Sequence, residues 1–190
     1  MTAVEAQRES ARRIVAEWRP RDAGEEATRA EFVDAFGVEA APVQRDQAPT
    51  HATASCFVFD PSLGSTLLVF HRKGGFWVQP GGHLEASDPG IPEAALRELA
   101  EETGVPVPQP ADVVAFDLDH HPLSSSFGRC VSHLDFGVAV ILDTAVPLVV
   151  SAESEDVRWW PVGALPPDSA PGLERRMRGL LRRIAADDLA

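Results

Sequence analysis

The chain has few of the features that mark secreted, disulfide-stabilised or membrane-embedded proteins. Its 190 residues include only two cysteines, Cys56 and Cys130, which give no sign of a disulfide framework or a zinc site. No apolar run approaches the ~20 residues that a membrane span needs. The charged segment from Glu5 to Arg13 does not fit a secretory signal. These absences predict a soluble, cytoplasmic protein.

Positive charge is also scarce. The sequence has 17 Lys and Arg against 29 Asp and Glu, a formal net charge of −12 at pH 7. Proteins that bind long nucleic acids neutralise many phosphates with basic side chains, so the composition disfavours that class of partner. It is compatible with a small phosphorylated substrate, because a bound metal ion can cover the substrate's charge locally.

The order of apolar patterns predicts an α/β domain preceded by helices. Amphipathic helices are expected over residues 3–19 and 23–36, the second with a stripe formed by Phe32, Val33 and Phe36. We assign residues 1–45 to an N-terminal helical extension and residues 46–190 to the main domain. The extension either braces the main domain or selects substrate or forms a homodimer contact, and the sequence leaves these roles open.

The main domain is predicted to contain a mixed sheet with helices on its faces. Its first two strands should form a hairpin. The strands are expected over 51–59, 66–70, 76–78, 113–118, 134–142 and 157–160, with a last helix over 173–184. A shorter helix, with Pro92 in its first turn and Gly104 at its end, should follow the third strand.

That shorter helix carries the most informative residues of the chain. Glu98, Glu101 and Glu102 lie three and four positions apart, so they share one side of the helix. Like charges at this spacing destabilise a helix unless a cation offsets them, and Mg²⁺ binds carboxylate oxygens and substrate phosphates together. The spacing predicts a divalent metal site, with a solvated acidic face as the alternative.

A glycine turn precedes the acidic helix. It reads Gln79-Pro80-Gly81-Gly82-His83-Leu84-Glu85 and is followed by Arg97-Glu98-Leu99-Ala100-Glu101-Glu102-Thr103-Gly104. Together the two segments resemble the Nudix box of the Nudix hydrolases, which cleave nucleoside diphosphates linked to another group. Asp88 stands where the family pattern has glutamate, and eight residues instead of seven separate it from Arg97. The chain thus resembles a bacterial subgroup with a one-residue-longer box.

The resemblance implies an α/β/α sandwich with Mg²⁺ or Mn²⁺ as the cofactor. Glu98, Glu101 and Glu102 are implied to hold the metal, and one of them also to orient or deprotonate water. Arg97 is implied to position the glutamates through ion pairs instead of touching substrate, with Asp88 as its partner.

Further ligands are implied from outside the helix. In the family, a carbonyl near the glycine turn is a ligand in several members, which makes Gly82 a candidate. A remote acidic residue before the closing strand often completes the site, and Glu153 suits that position, with Glu155 as the competitor. An exposed acidic loop is the alternative for both residues.

Weaker candidates could contact the substrate. Arg72 could contact a terminal phosphate, or it could be a solvated cation at a strand end. His121 and His133 could flank the pyrophosphate, ligate an extra ion or shuttle a proton, or they could be ordinary hydrogen-bonded residues at a sheet end. His51 is expected to lie on a strand without a chemical task.

These features predict metal-dependent hydrolysis of a phosphoanhydride bond in a nucleoside diphosphate derivative or a similar small diphosphate. The alternative is a non-catalytic, nucleotide-sensing Nudix domain, although such domains typically lose box glutamates. An isoprenoid diphosphate isomerase of the same fold usually needs a cysteine beside a histidine in the turn region, and this turn has none. The base, the sugar and the attached group stay undetermined.

Overall fold

The computed structural model describes residues 2–123, 129–152 and 154–187, and in these ranges helices cover both faces of one seven-stranded sheet. The elements are α1 (Ala3–Glu17), α2 (Ala23–Phe36), β1 (Thr50–Phe59), β2 (Ser65–His71), β3 (Phe76–Val78), β4 (Gly81–His83), α3 (Ile91–Thr103), β5 (Ala115–Pro122), β6 (Ser132–Ile141), β7 (Ser154–Pro161) and α4 (Leu173–Asp187). None of the helices within the described ranges combines the length and apolarity that crossing a bilayer requires.

The sheet is mixed, as predicted. Its strands run in the order β3-β2-β1-β6-β5, with β4 paired to β1 and β7 paired to β2. β1 and β6 are parallel from Thr50↔Ser132 to Phe59↔Ile141, and the other pairs are antiparallel, including the predicted hairpin of β1 and β2.

Alternation along β1 divides its side chains between two cores. The even-numbered residues from 52 to 58 join the apolar cluster that contains side chains of α1, α2 and α3. Phe57 and Phe59 join a second cluster with Leu173 and Met177 of α4. We call these two sides of the sheet the α3 face and the α4 face. The predicted α/β/α sandwich is thus confirmed.

Helix α2 packs on the α3 face through two aromatic rings. Phe32 and Phe36 are buried, and each ring centroid lies 5.1 Å from that of Phe136 in an edge-on arrangement. Val33 was predicted to share this stripe, but it is 43% exposed. A step of one residue turns its side chain about 100° away from Phe32, given roughly 3.6 residues per turn, so the prediction for Val33 was wrong.

Helix α1 supports the segment that leads into α3. Gln7 is fully buried, and its Nε2 donates to the carbonyl oxygens of Glu85 at 2.6 Å and Asp88 at 2.9 Å. The Ser10 hydroxyl accepts a hydrogen bond from the Ile91 N–H at 3.1 Å, at the first residue of α3. The buried polar side chains of α1 therefore satisfy backbone groups that β4 and α3 leave unpaired.

A buried ion network crosses the α4 face. Arg176 is 4% exposed and donates to Asp117 at 2.6 Å and to Asp135 at 2.7 Å. The hydroxyls of Thr53 and Ser55 donate to Asp135 as well. Burial on its own would raise the pKa of Asp135, but the neighbouring Arg176 charge keeps that pKa below its ordinary value. α4 is thus bound to the sheet by paired charges as well as by apolar contacts.

Replacing Gln7 tests the support that α1 gives to α3. In Gln7→Leu the carbonyls of Glu85 and Asp88 lose their buried donor, so we expect the free energy of unfolding to fall by about 1–3 kcal/mol. Glu9→Leu introduces the same side chain on the exposed side of α1 and should change stability by less than about 0.5 kcal/mol. Urea unfolding measures both, and equal losses would contradict the assignment.

Replacing Arg176 tests the ion network. Arg176→Leu leaves Asp117 and Asp135 buried without their cation, and we expect the free energy of unfolding to fall by about 3–5 kcal/mol. The neighbouring Arg175 pairs with Asp119 but its side chain is 65% exposed, so Arg175→Leu should cost less than about 1 kcal/mol. Unfolding in guanidinium chloride measures the stability of both variants. A similar loss of unfolding free energy in the two would rule out a special role for Arg176.

Candidate active site

Helix α3 can present acidic side chains because its opposite side is apolar. Leu96 and Leu99 are buried on the α3 face of the sheet. Pro92 lies in the first turn, where its missing N–H costs nothing. The helix ends at Gly104, whose φ of 71° lies in the left-handed region that favours glycine.

The predicted glycine turn is in fact a short strand, β4. It pairs with β1 through Ser55↔Gly81, Ala54↔Gly82 and Thr53↔His83. A Cβ added at Gly81 would lie 2.6 Å from the Ser55 Cβ, so the close approach of the two strands requires glycine. Glycine favours turns in sequence-based reasoning, and this tertiary pairing overrides that preference.

Strand β4 also contacts two of the three glutamates. A Cβ at Gly82 would lie 2.6 Å from Oε1 of Glu98, so glycine leaves room for that carboxylate. The Gly81 N–H donates to Oε2 of Glu102 at 3.1 Å. Glu102 is 6% exposed, whereas the side chain of Glu101 is 57% exposed. The glutamates therefore extend from the buried edge of β4 to the surface.

Arg97 donates a hydrogen bond through each of its five N–H groups. Its Nε and Nη2 contact the two carboxylate oxygens of Asp88 at 2.9 and 3.0 Å. Its Nη1 donates to Glu98 at 3.0 Å and to Glu101 at 2.9 Å, and Nη2 also donates to the His83 carbonyl at 3.0 Å. The ion pairs implied by the resemblance are thus present, with Asp88 in the place of the family's glutamate.

Hydrogen bonds fix Asp88 in that place. Asp88 is 4% exposed, and its Oδ2 accepts a hydrogen bond from the Glu85 N–H at 2.7 Å while it also contacts Arg97. Burial would lower the pKa of Arg97, but the hydrogen bond to Asp88 and the charge of Glu98 raise it. The guanidinium therefore stays charged.

The charges of this site fit a hard divalent cation. Arg97 contacts three carboxylates, and Glu102 adds a fourth beside Gly81. One guanidinium against four carboxylates leaves a formal excess of three negative charges. Oxygen ligands of this kind, together with a nearby backbone carbonyl such as that of Gly82, match the ligand preference of Mg²⁺ and Mn²⁺. The residues present therefore fit such an ion.

The other predicted site residues that the structure describes make contacts of their own. Arg72 follows β2 and donates to the Ser154 carbonyl at 3.1 Å. His121 and His133 face each other across β5 and β6, and Nδ1 of His121 lies 2.9 Å from a carboxylate oxygen of Asp119. Glu153 lies outside the described residues. Its competitor Glu155 is an exposed residue of β7.

A second group of side chains that could hold a metal ion was not predicted from the sequence. His51, His83, Cys130 and His133 each place a nitrogen or sulfur atom within 4.8 Å of those of the others. His51 lies on β1, as expected, and the sequence did not place it beside these three side chains. Burial lowers the pKa of His83 to about 4 and that of His133 to about 3, with the other histidines adding to the effect. His51 and His133 meet through the parallel register of β1 and β6, and no local pattern in the sequence signalled it.

Comparisons with known proteins agree with this architecture. The NUDIX domain family model matches residues 49–184. The curated phosphatase NudJ of Escherichia coli K12 is 47% identical over 57 residues, which are 29% of this chain and 35% of NudJ. The chain therefore spans about a third of that relative's length, and NudJ's activity does not transfer to it directly.

Solved structures support the fold. A bifunctional NMN adenylyltransferase/ADP ribose pyrophosphatase from Francisella tularensis, complexed with AMP and a manganese ion, matches with a TM-score of 0.57 and 16% identity over 85% of this chain and 46% of that chain. A Caenorhabditis elegans Ap4A hydrolase matches with a TM-score of 0.53 and 16% identity over 73% of this chain and 97% of that one. With the family model covering most of its length, the chain belongs to the Nudix family.

Proposed function

We propose that this protein is a metal-dependent pyrophosphohydrolase that cleaves a phosphoanhydride bond in a nucleoside diphosphate derivative or a similar small diphosphate. The observation that carries the proposal is that Arg97 donates hydrogen bonds to both Glu98 and Glu101. A third carboxylate of the same helix, that of Glu102, accepts a hydrogen bond from Gly81 of β4. The names of the similar proteins, a phosphatase, an ADP ribose pyrophosphatase and an Ap4A hydrolase, support hydrolysis of a phosphorylated compound.

The proposed cofactor is Mg²⁺ or Mn²⁺. Its ligands would be Glu98, Glu101 and Glu102, with the Gly82 carbonyl and Glu153 as further donors. When bound, such an ion lowers the pKa of coordinated water and neutralises charge on the phosphate oxygens. The Francisella tularensis structure, which is complexed with AMP and a manganese ion, supports this choice.

Each residue of the site would then have a distinct role. Arg97 contacts one oxygen of Glu98 and one of Glu101, so it orients both carboxylates without contacting substrate. The buried Glu102 is fixed by the Gly81 N–H. One of the three glutamates would accept the proton of the attacking water. Arg72 and His121 remain candidates for contacts to the substrate, and the box that is one residue longer defines the proposed subgroup.

A nucleotide-sensing domain without turnover is the competing class. The box of this chain retains all three glutamates, and Asp88 and Arg97 still hold two of them in place. A domain that only binds nucleotide has no need of this arrangement. The observed geometry therefore favours hydrolysis.

Removing single carboxylate charges tests the assignment. Glu101→Gln and Glu102→Gln should each lower turnover about 10²–10⁴-fold, which is the range for loss of a group that transfers a proton in the transition state. The assay is a panel of nucleoside diphosphate derivatives with Mg²⁺ or Mn²⁺, read as released phosphate or nucleoside monophosphate. Glu93→Gln alters a glutamate in the first turn of the same helix and should keep the rate of the unaltered protein.

Two outcomes would contradict the proposal. Folded Glu101→Gln and Glu102→Gln proteins with full turnover would remove the assigned residues from the site. Tight binding of a nucleotide without turnover of any compound in the panel would instead identify the domain as a sensor.

Asp88→Asn tests the positioning role of the buried pair. Without the charge of Asp88, Arg97 is held less firmly, so we expect a loss of about 10–100-fold in Mn²⁺ affinity or in kcat, with KM for the substrate little changed. Mn²⁺ titration followed by electron paramagnetic resonance measures the affinity. Glu85→Gln, at an exposed position of the same segment, is the matched control, and an equal effect in both variants would refute the role of Asp88.

A further inference from the structure

Three histidines and one cysteine converge on the α4 face of the sheet, on the other side of β4 from the glutamates. His51 lies on β1, His83 on β4 and His133 on β6, and Cys130 lies two residues before the start of β6. The register Thr53↔His83 puts His83 on the same face as Thr53, whereas Gly82 faces Glu98. We call these four residues the histidine–cysteine cluster. It shares no side chain with the carboxylate site.

The three imidazole rings form a nearly equilateral triangle. The ring centroids of His51 and His83 are 5.1 Å apart, those of His51 and His133 5.2 Å, and those of His83 and His133 5.1 Å. Cys130 Sγ lies 3.8 Å from Nε2 of His51 and 3.9 Å from Nε2 of His83. The sulfur atom therefore lies beside the edge of the triangle that joins His51 and His83.

These separations approach those of a tetrahedral metal site. Zinc bonds of roughly 2.0–2.1 Å to nitrogen and 2.3 Å to sulfur put neighbouring ligand atoms about 3.3–3.6 Å apart. The four ligand atoms of the cluster all lie within 4.8 Å of one another. Side-chain shifts of about 1 Å would bring the four ligand atoms to the separations of such a site.

Hydrogen bonding already orients one of the imidazoles. Nδ1 of His51 lies 2.7 Å from the Ala48 carbonyl, so this nitrogen carries the proton and Nε2 presents its lone pair to Cys130. A bond from the second ring nitrogen to a carbonyl is the usual support for a metal-binding histidine. Nε2 of His133 is buried and has no hydrogen-bond partner among the described residues. A bound ion would accept the lone pairs of both Nε2 atoms, those of His51 and His133.

The chemistry of the donors selects the kind of ion. Three imidazole nitrogens and one thiolate suit Zn²⁺ and related first-row transition metals, and Mg²⁺ binds such ligands poorly. His51 and Cys130 are buried, whereas His83 and His133 are partly exposed. A set of four protein ligands with no open position is typical of structural zinc sites, whereas catalytic sites keep one position for water.

We propose that the histidine–cysteine cluster binds one Zn²⁺ ion that ties β1, β4 and β6 together. The ion would fix β4 from the α4 face, while Glu98 and Glu102 contact the same strand from the α3 face. It would thereby hold the glycine strand in register without taking part in hydrolysis. The site stands on its own geometry, whether or not the proposed hydrolase activity is correct.

Cobalt serves as a spectroscopic probe of this site. The full chain, freed of metal with a chelator and kept reduced, is titrated with Co²⁺. We expect one equivalent to produce intense visible bands of four-coordinate cobalt and a near-ultraviolet band from the thiolate. Zn²⁺ should bleach both, whereas excess Mg²⁺ should leave them unchanged. The same Zn²⁺ addition should raise the Tm of the metal-free protein.

The two cysteines provide a matched pair of variants. Cys130→Ala should lose the near-ultraviolet thiolate band, and Cys56→Ala, which removes a buried thiol outside the cluster, should keep it. Glu102→Gln should also keep the band, because the carboxylate site is separate. If Cys130→Ala does not fold, the cobalt spectrum and the zinc-dependent Tm of the unaltered chain still decide the matter.

Three results would overturn the proposal. One is an unaltered chain that gives only the weak bands of six-coordinate cobalt. Another is a thiolate band that persists in folded Cys130→Ala. The third is a Tm that does not change with Zn²⁺.

Discussion

The guanidinium of Arg97 is the contact on which the candidate active site depends. Without it, Asp88, Glu98 and Glu101 would repel one another at the edge of β4. Its planar set of five donors joins the buried Asp88, two glutamates and the His83 carbonyl in one network. One positive charge cannot balance all the carboxylates, so the network orders the site and still leaves it attractive to a cation.

The support of Arg97 continues into the N-terminal helix. Asp88 is held by the segment from Glu85, and Gln7 of α1 binds the carbonyls at both ends of that segment. Ser10 caps the first turn of α3. The stability of α1 is thereby linked to the geometry of the glutamates, which is why a residue distant in sequence belongs to the account of the site.

Strand β4 connects the two candidate ion sites. Gly82 faces Glu98, and the Gly81 N–H donates to Glu102. His83 faces the histidine–cysteine cluster on the other side of the sheet. A strand of three residues is short for independent stability. Contacts on both of its faces therefore determine where the backbone beside Glu98 and Glu102 lies.

The sequence was sufficient for α3, because the positions of Glu98, Glu101 and Glu102 depend only on local helical periodicity. The fold class and the order of the elements also followed from local patterns. Strand β4 did not, since its pairing with β1 depends on tertiary contact instead of β-propensity. His51 and His133 are 82 positions apart and meet only through the parallel register of β1 and β6, which no local pattern encodes.

Gln7 illustrates a third kind of difficulty. Its spacing from Ala11 and Ile14 places it on the buried stripe of α1, but its polar side chain argues against burial until its carbonyl partners are known. Periodicity shows which side of a helix is covered. It does not show which backbone groups lie opposite.

An anomalous difference map from crystals of the unaltered protein, soaked in Mn²⁺ with a non-hydrolysable diphosphate, shows directly which side chains bind the metal. We expect manganese peaks bounded by the carboxylates of Glu98, Glu101 and Glu102, in contact with the phosphates. A map in which the diphosphate is bound and no manganese lies against these three side chains would contradict the proposed metal site.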